Sequence, residues 1–494
     1  MLRCKAAVPS ALRLPLSLPR GFLASAVLAS GGAALFACQY VASRELGSTF
    51  FVTELSLLLA TLITLLGPSL GYALGSRLTL GGSIEHLWAA VAFLAHATLP
   101  WSIRALSAAL STAHPAWALI LATVLITIPC GYCAVLLPLY AKIDSLPRLY
   151  AAELAGALIF LVGIALGPSY QLLRAGYLLV PVVMALLRYG RKVALGTLLG
   201  SATLIGLGSH LDQHVTAAYF RHVHGIKSPQ LLASDYSPHQ RIDVVRDDAE
   251  TALFLDGVPF YRSGSLDAFS VLLAEVPGAM RPTRGHALVV GSGSFSSAAR
   301  LHRLGYRVQV IELDARVASL GFAHFASVHR LSPHDITLTL DDARHALAHS
   351  TERFDLIVLD VPAPYRIATA LLHTPTFYRQ VAEHLTPGGV VSLSLCEALS
   401  EPLAQRIAQS AAQVFADILV VDSSAVGLPV LYAARKLPFS PTQVEQAVTA
   451  RDPQGAVLLF ADAQVRRLIH AVRPLSDHDL LGVLLLARHA YARE

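Results

Sequence analysis

A chain of 494 residues has room for roughly two to four domains, and composition narrows the choice. With 54% hydrophobic and only 14% charged residues, and a mean hydropathy of +0.54, it is too apolar to be wholly water-soluble at this size. The net charge of +5 suits a surface lying against anionic lipid, and the absence of a dense Lys/Arg run argues against a nucleic-acid partner.

The apolar surplus is concentrated before residue 210, and Asp, Glu, Arg and His recur every few residues afterwards. With about 20 residues needed to cross the hydrocarbon core, the candidate spans are 21–42, 50–74, 87–110, 116–140, 149–166, 172–187 and 193–207, a nominal seven within about six to eight. The last two are split only by residues 188–192 and read as two thin spans or one re-entrant pair. The first stretch is too long for the apolar region of a signal peptide. Glu54, Arg104 and Glu153 lie near the ends of their segments, where long side chains reach the interface. Gly156 and its small neighbours read as a close helix contact. The five cysteines imply no disulfide framework; Cys130 and Cys133 lack a second pair for a zinc site and read as packing residues, so no metal is expected.

The second half has a different period. Residues 240–245 and 251–257 read as strands, with Asp256-Gly257 as a hairpin turn. From Ala287 short apolar strands at 287–290, 308–311, 336–340, 355–359 and 390–395 are separated by helical stretches at 298–304, after Ala315 and around 377–385. That alternation predicts a parallel α/β sheet. The expected architecture is a multi-pass helical membrane domain (1–210), a linker with a small β module (211–280) and an α/β Rossmann-like nucleoside-binding domain (281–494).

Ligands of such sheets bind outside the carboxyl ends of the strands. The first main strand runs into Gly291-Ser-Gly293-Ser294, where small residues let the backbone approach a ligand. The second ends in Glu312, placed to accept from both ribose hydroxyls; the third ends in Asp341-Asp342, placed to read an adenine amino group; the fourth ends in Asp360. Each acid alone also fits a helix or turn cap. Ser296 stands where a dinucleotide cradle needs its last small turn residue, so a compact nucleoside such as S-adenosylmethionine fits better than NAD.

The motifs Ala287-Leu-Val-Val-Gly-Ser-Gly293, Val310-Ile-Glu-Leu-Asp314, Leu340-Asp-Asp-Ala343, Phe354-Asp-Leu-Ile-Val-Leu-Asp360 and Leu385-Thr-Pro-Gly-Gly-Val390 resemble those of spermidine synthases. The upstream Gln240-Arg-Ile and Leu255-Asp-Gly257 are similar to that family's N-terminal β module, and the apolar half looks like the spans fused to it in bacterial members. The resemblance implies no covalent cofactor but decarboxylated S-adenosylmethionine, or S-adenosylmethionine, as co-substrate. Gln240, Gly291, Gly293, Ser294, Glu312, Asp342 and Ala343 would hold it, and Asp360 would be the catalytic base toward an amine such as putrescine.

Three positions depart from the family. Ser294 replaces its loop aspartate, Ala363 replaces the second acid after the fourth strand, and Phe269-Ser270 replaces a Tyr-His or Tyr-Gln pair. Asp267, Glu275 and residues 361–374 are the candidate substitutes. Three readings follow: an aminopropyltransferase-like enzyme, another S-adenosylmethionine-dependent transferase such as a methyltransferase at the membrane surface, and a non-catalytic adenosine-ligand sensor. Expected partners are a small amine and the lipid bilayer, with a homo-oligomer open.

Location adds a conflict. Arg3, Lys5, Arg13, Arg20, Lys142, Arg148 and the 188–192 turn outweigh Arg44, Arg104 and Arg174 opposite, which puts the N-terminus in the cytoplasm of a bacterial-type inner membrane. Seven spans would then export a domain whose adenosine ligand is cytosolic, so an even number of crossings, or one segment that does not cross, is expected.

Overall fold

The computed structural model describes residues 19–50, 54–167, 169–248, 250–264, 267–281, 284–424, 426–451 and 455–479. Arg3, Cys4, Lys5 and Arg13 lie outside them. The chain divides into two compact units, Met1–Phe51 with Ser56–Arg241, and Val52–Leu55 with Ile242–Glu494.

The first unit holds α1 (Arg20–Thr49), α2 (Glu54–Gly75), α3 (Ser83–Ala109), α4 (Pro115–Tyr140), α5 (Leu146–Ala165), α6 (Tyr170–Tyr189), α7 (Arg191–His222) and the strand β1 (Gln230–Tyr236). Among the described residues seven helices are long and apolar enough to cross a membrane. Leu154, Leu158 and Ile159 of α5 are exposed, and a helix apolar all round with so little of it covered by protein has the surface that lipid covers. The last two segments are full helices of 20 and 32 residues broken at Gly190 (φ 88°), each long and apolar enough to cross. α7 runs on past residue 210 to His222, with Thr216, Tyr219 and Phe220 buried.

Backbones set the closest contact. A Cβ on Gly156 would stand 1.8 Å from the Ala29 carbonyl oxygen, and one on Gly32 would stand 1.9 Å from that of Glu153, so only glycine lets α1 and α5 pack at this distance. Cys130 and Cys133 are buried free thiols packed among the helices.

Prolines set the second pattern. Pro100 in α3 has no N–H for the His96 carbonyl, and Pro181 in α6 has none for that of Tyr177. Tyr177 Oη donates to His96 O at 2.6 Å and His96 Nε2 donates to Tyr177 O at 3.0 Å, while the two rings stack with centroids 3.9 Å apart. Each helix thus fills the gap the other's proline leaves, as a span in lipid requires. Because a carbonyl only accepts, His96 carries its proton on Nε2.

Charge inside the bundle corrects one expectation. Arg104 (1% exposed) and Glu153 (4% exposed) do not reach an interface: each is covered by neighbouring helices. The side chain of Glu54 lies outside the described residues. Arg104 Nη2 donates to the Ser48 carbonyl at 3.2 Å and its guanidinium lies over the Tyr219 ring. Glu45 accepts from Tyr170 and Tyr236 at 3.0 and 2.8 Å beside Arg241, and Glu85 pairs with Arg188 at 2.7 Å and accepts from Tyr132 and Tyr189.

In the second unit β2 (Arg241–Asp247), β3 (Glu250–Leu255) and β4 (Val258–Arg262) pair antiparallel in order. Asp256 (φ 50°) and Gly257 (φ 80°) form the expected turn between β3 and β4 with both residues left-handed. The main sheet contains β5 (His286–Gly291), β6 (Arg307–Glu312), β7 (Ile336–Leu340), β8 (Phe354–Asp360), β9 (Leu385–Ser394), β10 (Asp417–Ser423), β11 (Val430–Ala434) and β12 (Val457–Ala461). Its order is β12-β10-β11-β9-β8-β5-β6-β7. The five strands β5 to β9 are parallel, and β10 to β12 extend the sheet antiparallel. The strand order turns back at β5, flanked by β6 and β8, and this is the switch point at which such sheets bind ligands.

Candidate nucleoside site at the strand ends

Register brings the predicted acids together. Gly291 pairs with Asp360 and Glu312 with Leu340, so the ends of β5, β8, β6 and β7 share one edge. At Gly291 φ is +83° and a Cβ would stand 2.2 Å from the Asp360 carbonyl oxygen; only glycine lets the chain turn here. Ser292 N donates to that same oxygen at 3.1 Å. The loop then folds inward: Phe295, left-handed at φ 60°, is fully buried and stacks on Phe322 at 4.2 Å. Gly293 faces Val317, and Ser294, 3% exposed, accepts from Ser296 N at 3.3 Å.

Glu312 is held from one side. Its Oε1 accepts from Asp314 N at 3.0 Å, while Asp314 caps the helix Ala315–His324. Burial is the main reason its carboxyl is pushed up to about 7; the Asp314 amide opposes the shift, and the nearby Asp314 and Asp360 charges add to it. Asp360 Oδ2 accepts from Ser297 Oγ at 2.8 Å; burial raises this carboxyl and the Ser297 hydrogen bond tempers the rise. Asp342 caps the helix Ala343–Ala348, accepting from Arg344 N and His345 N, and Ala343 packs into the core. Asp341 is held below the ordinary carboxylate range, first by its hydrogen bond to His345 Nδ1 at 2.7 Å. Gln240 lies in the turn before β2, within the first unit, where its carbonyl accepts from Ser237 N.

Of the candidate substitutes, Glu275 is committed to Arg300 at 2.5 Å and Arg451 at 2.9 Å. The side chain of Asp267 lies outside the described residues. The loop after β8 supplies what sequence reasoning missed. Arg366 forms an ion pair with Asp256 of the β3–β4 turn, and Tyr365 Oη donates to Glu397 Oε1 at 2.7 Å. Glu397 follows the end of β9, so the strand-end rule that found Glu312 and Asp360 had a signal for it too.

The donor set suits a nucleoside. A buried carboxylate stands where ribose hydroxyls would lie, a second acid stands at the neighbouring strand end, and a glycine turn between them leaves room for backbone approach. These features define a doubly wound α/β unit with acids gathered at the carboxyl ends of its parallel strands.

Comparison with known proteins narrows the class. Residues 266–435 match the spermine/spermidine synthase domain. The chain is 31% identical to the polyamine aminopropyltransferase of Nitrosomonas europaea over 198 residues, covering 38% of this chain and 60% of that protein. It is 28% identical to the polyamine aminopropyltransferase of Thermoplasma acidophilum, covering 39% of this chain and 72% of that one. With polyamine aminopropyltransferase 2 of Ralstonia nicotianae it shares 27% over 33% of each chain. The chain thus spans between a third and about three quarters of these relatives' lengths. Among solved structures it is similar to a probable spermidine synthase from Corynebacterium glutamicum (17% identity, TM-score 0.41, 49% of this chain and 95% of that chain). It is also similar to spermidine synthase from Thermotoga maritima (15% identity, TM-score 0.39, 49% and 87%).

Proposed function

We propose that the protein is a membrane-bound, spermidine synthase-like aminopropyltransferase that moves an aminopropyl group from decarboxylated S-adenosylmethionine to an amine such as putrescine. The observation that carries the reading is the set of carboxylates at the strand ends inside a domain matching this family. Glu312 holds the ribose hydroxyls, Asp342 reads the adenine and Asp360 serves the acceptor. In the reaction the acceptor nitrogen bonds to the propyl carbon, the carbon–sulfur bond breaks to leave a neutral thioether, and the nitrogen's surplus proton passes to Asp360. A carboxyl raised by burial takes that proton more readily than one in water. Glu397, held by Tyr365, is the acid nearest in kind to the family carboxylate replaced by Ala363.

The α/β unit works in the cytoplasm, where the sulfonium donor is made, and the helices lie in the inner membrane. With seven candidate spans and a cytoplasmic N-terminus, one helix then does not cross. The deciding experiment is calorimetry of the detergent-purified full chain against decarboxylated S-adenosylmethionine, S-adenosylmethionine and methylthioadenosine, followed by turnover with putrescine. Preference for the decarboxylated donor and release of methylthioadenosine is the expected result. Preference for S-adenosylmethionine would instead favour the methyltransferase reading, which Ser294 supports by placing a hydroxyl where the family has an acid.

A further inference from the structure

Among the described residues of the helix bundle three glutamates are almost wholly buried: Glu45 and Glu85 at 1% exposure and Glu153 at 4%. Two of them have a guanidinium beside them. Glu85 lies 2.7 Å from Arg188, and Glu45 lies 3.7 Å from Arg241. Glu153 is different: the hydrogen bonds to its carboxyl come from one phenol, Tyr72 Oη, shared between Oε1 at 3.3 Å and Oε2 at 3.4 Å.

Every side that faces this carboxyl is neutral. From α2 comes Tyr72, from α4 comes the Cys133 thiol, and on α5 itself Tyr150 lies beside the Tyr72 phenol. On the α1 side Gly32 packs against the backbone carbonyl of Glu153. No Lys, Arg or His of the described residues acts on it. A carboxylate removed from water without a cation costs several kcal/mol, so a site of this kind retains its acid by binding a cation. The choice of partner names the cation. A guanidinium has donors only and suits the carboxylate alone, whereas a phenol donates to the carboxylate and accepts from the carboxylic acid. Tyr72 is 38% exposed, so a single side chain separates the carboxyl from the surroundings of the bundle.

We propose that Glu153 is a proton-binding site within the helix bundle, loaded and unloaded past the Tyr72 hydroxyl. This is independent of the aminopropyl reading. The test is labelling of the full chain in lipid vesicles with dicyclohexylcarbodiimide, read by peptide mass spectrometry. The acid's proton passes to a carbodiimide nitrogen, the carboxylate oxygen bonds to the central carbon, and rearrangement leaves a stable N-acylurea. The adduct is expected at Glu153, to fade as pH rises, and to be lost in Glu153→Gln, while Glu45 and Glu85 stay unmodified. Tyr72→Phe removes the donor that favours the charged form and should move the pH of half-labelling upward by about half to one unit. Absence of the adduct at every pH, labelling without pH dependence, or equal labelling of Glu45 and Glu85 overturns the proposal. Suppression of the adduct by putrescine at constant pH also overturns it, in favour of an organic cation.

Discussion

In the α/β unit Glu312 and Asp360 are gripped on one side, by the Asp314 amide and the Ser297 hydroxyl, with the strand-end edge left for a ligand. In the helix bundle Glu45 and Glu85 each take two tyrosine hydroxyls as well as an arginine. The same functional group keeps a strand-end edge where chemistry is expected and has a guanidinium beside it where packing is needed. Burial by itself therefore does not mark a working acid; the kind and number of its partners does. Glu153 is the bundle glutamate that follows the rule of the other unit.

The comparison can be broken most severely at Asp360. If its proton uptake drives transfer, Asp360→Asn should lower turnover by roughly 10²–10⁴ while adenosyl-ligand affinity stays nearly unchanged, measured by product release and calorimetry on one preparation. Normal turnover would reduce Asp360 to an anchor for Ser297. A smaller but clear loss is expected at Glu312, since each charge-assisted bond to a ribose hydroxyl contributes about 1.5–3 kcal/mol. Glu312→Ala should raise the dissociation constant at least tenfold, and an unchanged constant would remove Glu312 from the pocket.

The pH dependence sharpens the same contrast. Glu312 stands at about 7 in the folded chain against an ordinary 4.5, so the native state binds the proton more tightly than the unfolded one. Stability from this group is full below the unfolded value and is lost as pH rises through about 7. Ribose binding needs the carboxylate, so the sign for affinity is opposite: it should rise about tenfold from pH 6 to pH 8 and flatten above, with Glu312→Gln abolishing the slope. In the bundle, Tyr177→Phe leaves the His96 carbonyl without its donor, a loss of about 1–3 kcal/mol. It should lower the bundle's melting temperature by a few degrees and leave adenosyl-ligand affinity unchanged.

Much of this was legible before any coordinates. The parallel strands β5 to β9 announce themselves because each is a short apolar run followed by a helix, and the acids at their ends fall where the sheet must bind. The seven helices are legible by length alone. Strands β10 to β12 are not, because apolar runs such as Ile418–Val421 have no period to separate a strand from a buried helix. Nor were the bundle's charges: Arg104 near a helix end reads as a side chain reaching for water until the helices around it are seen. Glu45 and Glu85 went unremarked because Arg241 and Arg188, which pair with them, lie far along the chain. Arg366 is hidden for a related reason, since its partner comes from a turn that only the fold brings near, whereas Glu397 carries the strand-end signal.

The paired prolines make α3 and α6 epistatic. In Pro100→Ala a peptide N–H becomes available to the His96 carbonyl, and the Tyr177 hydroxyl loses its task; Pro181→Ala does the same for the His96 imidazole. A double-mutant cycle between residues 100 and 177 should therefore return a coupling of about 1 kcal/mol or more, with Tyr177→Phe nearly silent once Pro100 is gone. The side chain on one helix can be dispensed with only once the proline it answers on the other is gone, so the bends in the two helices are inherited as one character.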